Sequence, residues 1–147
     1  MTDTRPRLFS SDAEITHLGE RFLSRSLPKP EWTHEAHLAT TTWLLRRPDI
    51  DVDKDLPDLI RRYNESVGGV NSDSEGYHET ITRAFLAGVR LFLSEADLSE
   101  PLHELVNELL LSPMGRRDWP LRFYSRDRLL SVDARRIFAP PDLRALP

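Results

Sequence analysis

Apolar positions along this chain recur at the three- and four-residue spacing of helices almost throughout, and the two-residue alternation of a half-buried strand is nearly absent. Ser11 followed by Glu14 has the form of a capping box. Beyond it Ile15, Leu18, Gly19, Phe22 and Leu23 line one face of a helix that runs to about residue 26. Leu27-Pro28-Lys29-Pro30 stops that helix. Thr33 caps a second one, which Pro48 ends after about Arg47, and Trp32 holds the staple position just ahead of the cap. The second helix is apolar on nearly all sides, with Leu38, Thr41 and Leu45 on one face and Ala36, Ala39 and Trp43 opposite. Such a helix belongs at the centre of a fold.

A third helix is predicted from about Asp55 to Val67, with Pro57 in its first turn, Leu56, Leu59, Ile60, Tyr63 and Val67 inward, and Gly68 as its stop. After a polar loop, a fourth from about Glu75 to Ser94 presents Tyr77, Ile81, Ala84, Phe85, Gly88, Leu91 and Phe92 on one broad face. Gly88 reads as the place for a close helix crossing. Ser99 caps a fifth helix to about Leu111. Leu121 to Tyr124 reads as a short extended piece, and Ser131 caps a last short helix through Phe138 before a Pro-rich end. No internal repeat or low-complexity tract interrupts the pattern. Helices with short connections predict an all-α fold: an antiparallel bundle of four to five main helices in a single domain over 1–147. Residues 116–147 form a short C-terminal helix and a wrapping tail.

Composition narrows the chemistry. At 147 residues, folding buries about 70% of the unfolded chain's surface, so a real core is available. The chain has no cysteine, which removes disulfides, thiolate metal sites and cysteine nucleophiles together. No apolar run reaches the roughly 20 residues of a membrane span, and the start MTDTRPRLFSSD lacks an apolar leader core. The expectation is a soluble, cytoplasmic protein with no membrane partner. A formal charge of −4 argues against nucleic acid as a partner. Charge is nevertheless uneven. Residues 1–115 hold 12 Lys+Arg against 20 Asp+Glu, whereas residues 116–147 hold 8 Arg against 4 Asp. The basic tail is expected to dock on the acidic body.

The five histidines sort by helix face. His17 lies beside Glu14 and Arg21 on a polar face, and His103 lies at the edge of an apolar stripe; neither points to chemistry. His34 and His37, three residues apart, share the face of Leu38 and Thr41, and His78 shares a face with Ile81, Thr82 and Phe85. Three inward imidazoles need partners, since an unpaired buried nitrogen costs about 1–3 kcal/mol. One divalent metal ion, with zinc, iron, manganese and copper undistinguished, would supply them and keep an open position. The competing reading gives each histidine a carboxylate or backbone carbonyl instead. His34-Glu35-Ala36-His37 is one residue too short for a zinc-protease helix, and Glu75 before His78 lacks the second carboxylate set of a di-iron bundle. Tyr63, Glu79 and Tyr124 are the candidates for a catalytic side chain. Glu79 is also placed to pair with Arg83, and Tyr63 to be a core tyrosine with one hydrogen bond. Arg126 and Arg128 are read as ion-pair partners of Asp127 and Asp133.

The segments Glu31-Trp-Thr-His-Glu-Ala-His-Leu38 and Gly76-Tyr-His-Glu-Thr-Ile-Thr82 resemble the signatures of an uncharacterised family of small all-helical bacterial proteins. Tyr63-Asn64, the stretch Phe123 to Ser131 and the closing Pro141-Asp-Leu-Arg-Ala-Leu-Pro147 extend that resemblance over most of the chain. It implies that His34, His37 and His78 belong to shared signatures; it supplies no reaction. A more distant similarity, at the level of fold alone, is to the DinB-like metal-dependent helical proteins.

Two functional expectations follow. The first is a metal-binding helical protein, extending to a metal-dependent enzyme acting on a small molecule through His34, His37 and His78. The second is a non-catalytic small-molecule binder, or a structural or interaction module, with a buried polar histidine network. Oligomeric state is left open.

Overall fold

The central element is α2 (His34–Leu45), which packs against α1 (Asp12–Leu23), α3 (Val52–Ser66), α4 (Glu79–Glu95) and α5 (Leu102–Leu111). The computed structural model describes residues 5–147. Residues 1–4, part of the start read for a leader, lie outside the described residues. Two short helices, α6 (Arg126–Leu129) and α7 (Val132–Arg136), follow within the C-terminal wrap. Among the described residues there is no strand, and no helix is long and apolar enough to cross a membrane. The fold is an all-α bundle.

The sequence explains why α2 is central. Ala36, Leu38, Ala39, Thr40, Thr42, Trp43 and Leu44 are all buried, and together they cover every side of the helix. Small residues let its neighbours approach. Gly19 of α1 lies against the Trp43 ring, leaving no room for a Cβ. The hydroxyl of Thr42 donates to the Leu38 carbonyl one turn back, which hides a polar group inside the helix.

Several boundaries differ from the sequence reading, for local reasons. Ser11 does cap α1 by accepting from the Glu14 amide, but the Glu14 carboxylate reaches back to Ser10 rather than to the cap residue. Helix α3 starts three residues earlier than expected because Asp51 accepts from the Lys54 amide, so Pro57 sits inside the helix rather than in its first turn. Ser99 does not cap α5; it folds onto Asp97, and α5 begins after Pro101. Leu121 to Tyr124 is not extended: residues Trp119–Arg122 form a 3-10 turn. Gly88 faces a side chain and not a helix backbone, since a Cβ there would come within 2.6 Å of the Trp119 indole nitrogen.

The wrap closes the bundle through apolar burial more than through charge. Trp119, Phe123, Tyr124, Leu129, Ala134 and Ala139 form a second core cluster with Ala84 of α4. The Trp119 indole donates to the Ala84 carbonyl at 3.0 Å. Of the expected docking on the acidic body, two ion pairs are formed among the described residues: Arg136 with Asp73 at 2.6 Å and, more loosely, Arg117 with Glu35 at 3.7 Å. Both are exposed on the arginine side and contribute little.

Candidate functional site

A cavity of about 480 Å3 opens between α2, α3 and α4 under the C-terminal wrap, and His34, His37 and His78 all line it. Its size is that of a small-molecule pocket. Each of the three histidines has a different occupation, and that difference decides what the cavity can do.

His78 is not in the first turn of α4 but is its cap. Its Nδ1 accepts from the Ile81 amide at 3.1 Å, and its Nε2 faces the Leu129 carbonyl at 2.8 Å. A carbonyl only accepts, so Nε2 carries the proton and the ring is neutral, with the Nδ1 lone pair spent on the cap. Burial holds its pKa below the ordinary value, and the nearby Arg135 charge acts in the same direction. Both nitrogens of His78 are therefore engaged. His34, in the first turn of α2, donates from Nε2 to the Gly115 carbonyl at 2.8 Å and packs edge-on against Phe85. His34 ties down the turn that leads into the wrap, at Gly115, and His78 fastens the wrap itself, at Leu129.

His37 differs from both. Neither of its ring nitrogens has a hydrogen-bond partner among the described residues. Burial pushes its pKa down to about 3, with His34 adding to the effect, so its imidazole is neutral at pH 7. Its ring is held by the helix start. Thr33 is the cap, Trp32 precedes it, and His37 is the fourth helical residue, so the Trp32–His37 contact is a staple with imidazole in place of an aliphatic group. Trp32 in turn stacks on Phe22 at 4.5 Å between ring centroids. The indole Nε1–H is buried without a partner among the described residues.

The donor chemistry does not suit a three-histidine ion in this arrangement. A metal ligand needs a free lone pair, and His78 has none without giving up the α4 cap. Among the described residues, no three His, Asp or Glu side chains are grouped to hold an ion.

The other candidates lie away from the cavity. Tyr63 is fully buried and donates to the Leu27 carbonyl at 2.8 Å. Tyr124 is fully buried in the second cluster and donates to the Ala139 carbonyl at 2.6 Å. Glu79 accepts from the Tyr77 hydroxyl at 2.6 Å and pairs with Arg83 at 3.3 Å. Arg128 donates to the Pro140 carbonyl rather than to either expected aspartate. His17 is exposed, and His103 binds Asp12 at 2.6 Å.

Two cavity residues had no role in the sequence reading: Arg117 and Arg135, both from the wrap. Arg135 carried a signal. Three and four residues before it stand Val132 and Ser131, so its helix offers it no carboxylate on the same face. It reaches instead to the loop ahead of α4, where Asn71 holds the backbone. The Asn71 side chain donates to the Arg61 carbonyl and accepts from the Asn64 side chain and the Tyr77 amide. Gly76 completes that turn at φ +82°, with no room for a Cβ beside Val70.

Comparison with protein-family models, with curated proteins and with solved structures gives no match to this chain.

Proposed function

We propose that the protein binds a small organic molecule in the cavity beneath its C-terminal wrap, with His37 as the imidazole that meets the ligand. The observation that carries this reading is the unequal use of the three histidines. His34 gives its Nε2 proton to the Gly115 carbonyl and His78 has both nitrogens engaged, while His37 lines the same cavity neutral and without a partner among the described residues. A neutral imidazole offers one donor and one acceptor, which suits recognition of a polar group on an otherwise apolar ligand. Leu38, Ile81, Phe85 and Leu86 supply the apolar wall. Binding without catalysis is favoured over a metal-dependent reaction because the hydroxyls of Tyr63 and Tyr124 and the Glu79 carboxylate are engaged elsewhere. An ion shared by His34, His37 and His78 would have to take the His78 Nδ1 lone pair from the cap of α4.

A ligand-observed NMR fragment screen tests this. Thr41 lines the cavity and takes part in neither histidine tie, so Thr41→Phe fills the space and leaves the ties intact. Fragments that bind the native protein should be lost in Thr41→Phe and should shift the His37 ring signals. Fragments that bind both proteins equally, or none that respond to the substitution, contradict the proposal.

A further inference from the structure

The geometry points to an organic anion as the ligand of this cavity, its oxyanionic head, a carboxylate, held by Arg135, with Arg117 a second guanidinium on the same cavity. This rests on the small-molecule reading above and adds the chemical class.

The protein as a whole is acidic, at −4, yet its cavity is not. Among the described residues, its lining contains two arginines and neither an aspartate nor a glutamate. The three histidines are occupied or buried in ways that leave His37 and His78 neutral, so the two guanidiniums set the charge of the site. Arg135 is held in place without being neutralised. Its Nη1 donates to the Gly76 carbonyl at 3.0 Å and to the Tyr77 carbonyl at 3.3 Å, and no carboxylate lies within ion-pair distance of it among the described residues. Its neighbour Arg136 takes Asp73, the nearest acidic residue of that loop. A guanidinium has five N–H donors in a fixed fork, and two carbonyls on one nitrogen leave the rest of that fork available. Carbonyls orient the group but cannot cancel its charge.

Arg117 has a weaker hold. Its side chain is 73% exposed, and Glu35 is 3.7 Å away, beyond a good hydrogen bond. It can move onto a bound anion at little cost. The body of the ligand must be largely apolar, because Leu38, Leu56, Ile60, Ile81, Phe85 and Leu86 face the same space. One firmly placed guanidinium in such a wall matches the single charge of a carboxylic acid better than the double charge of a phosphate monoester. Both share oxyanion chemistry, so a direct comparison separates them.

The experiment is a binding titration of matched naphthalene probes on the full chain at pH 7: 2-naphthoate, 2-naphthamide and 2-naphthyl phosphate. It is preceded by the same ligand-observed screen with a set of aryl and alkyl carboxylic acids and their primary amides. Acids are expected to bind about tenfold or more tighter than their amides. That preference should shrink as salt is added. Arg135→Gln should bring acid and amide to equal affinity, and Arg135→Lys, which keeps the charge, should restore part of the gap. Arg126→Gln, outside the cavity, should change nothing. Amides that bind as well as acids, or an acid preference that survives Arg135→Gln in a folded variant, overturns the anion assignment while leaving the cavity reading standing. A phosphate that binds tighter than the carboxylate overturns the choice of head group. Failure of every probe and fragment to respond to Thr41→Phe overturns both readings at once.

Discussion

The imidazole of His37 lies against the indole of Trp32 with 3.9 Å between ring centroids, and this contact joins the start of α2 to the wall of the cavity. A staple normally fixes only the direction in which the chain enters a helix. Here one of its members also carries the polar atoms that face the ligand space. His37→Phe keeps the flat ring and removes those atoms. It should change the unfolding free energy by less than about 1.5 kcal/mol, as shape-conserving core changes do, while abolishing fragment binding. Chemical denaturation and the NMR screen on one variant check both halves.

His78 has two tasks that can be separated. His78→Ala removes the α4 cap and the tie to Leu129, and should cost about 2–4 kcal/mol. Asparagine is a good cap but is too short to span to Leu129. His78→Asn should therefore recover about 1 kcal/mol of that loss while leaving the Leu129 carbonyl untied. Urea melts give the energies. Faster amide exchange in α6 and α7 of His78→Asn, with α4 still protected, reports the lost tie.

Acid should loosen the protein in a window set by histidine. Burial depresses the pKa of His37 and of His78 in the folded state, so the unfolded chain binds more protons between the folded values and about 6.5. Stability from this source is complete above about pH 6.5 and declines as pH falls, by about 1.4 kcal/mol per unit for each histidine held neutral. The aspartates paired with arginine, such as Asp53 and Asp73, have depressed pKa values too, so their contribution is lost only as pH falls through and below the ordinary aspartate value. Urea midpoints between pH 4.5 and 6.5 therefore report mainly on histidine. His37→Phe should flatten the slope in that window; an unchanged slope would show that His37 does not contribute.

Close packing of the wrap depends on Gly88. An alanine there would press its methyl on the Trp119 ring, which is fixed by its bond to Ala84, so Gly88→Ala should destabilise by about 1–3 kcal/mol despite better helix propensity. Thermal melts of Gly88→Ala with and without Trp119→Leu should show partial recovery in the double variant.

The helices were legible because their apolar spacing and caps are local. Thr33, Ser11 and Ser131 cap where the sequence places them, and α2 is central because apolar residues surround it. The meeting of His34, His37 and His78 on one cavity was legible from helix faces as well. What each nitrogen binds was not, because Gly115 and Leu129 lie 81 and 51 residues away in sequence from the histidines they satisfy. A backbone carbonyl has no residue-type signature, so no pattern announces it. The histidine cap of α4 was hidden for a related reason: serine, threonine and aspartate advertise caps, whereas an imidazole acceptor does so rarely. The placement of Arg135 was not legible because its partners are again carbonyls, on a loop whose shape depends on Asn71 and Gly76.

Two of the three cavity histidines are tied to backbone carbonyls, and His37 has no hydrogen-bond partner among the described residues. Long-range 1H–15N correlation of the imidazole rings at pH 7, before and after one equivalent of Zn2+, measures this directly. His34 should carry a proton on Nε2, His78 should be neutral with its proton on Nε2, His37 should be neutral, and the His78 signals should stay where they are when the ion is added. A charged His78, a proton on its Nδ1, or joint movement of all three rings on a stoichiometric ion would contradict the account.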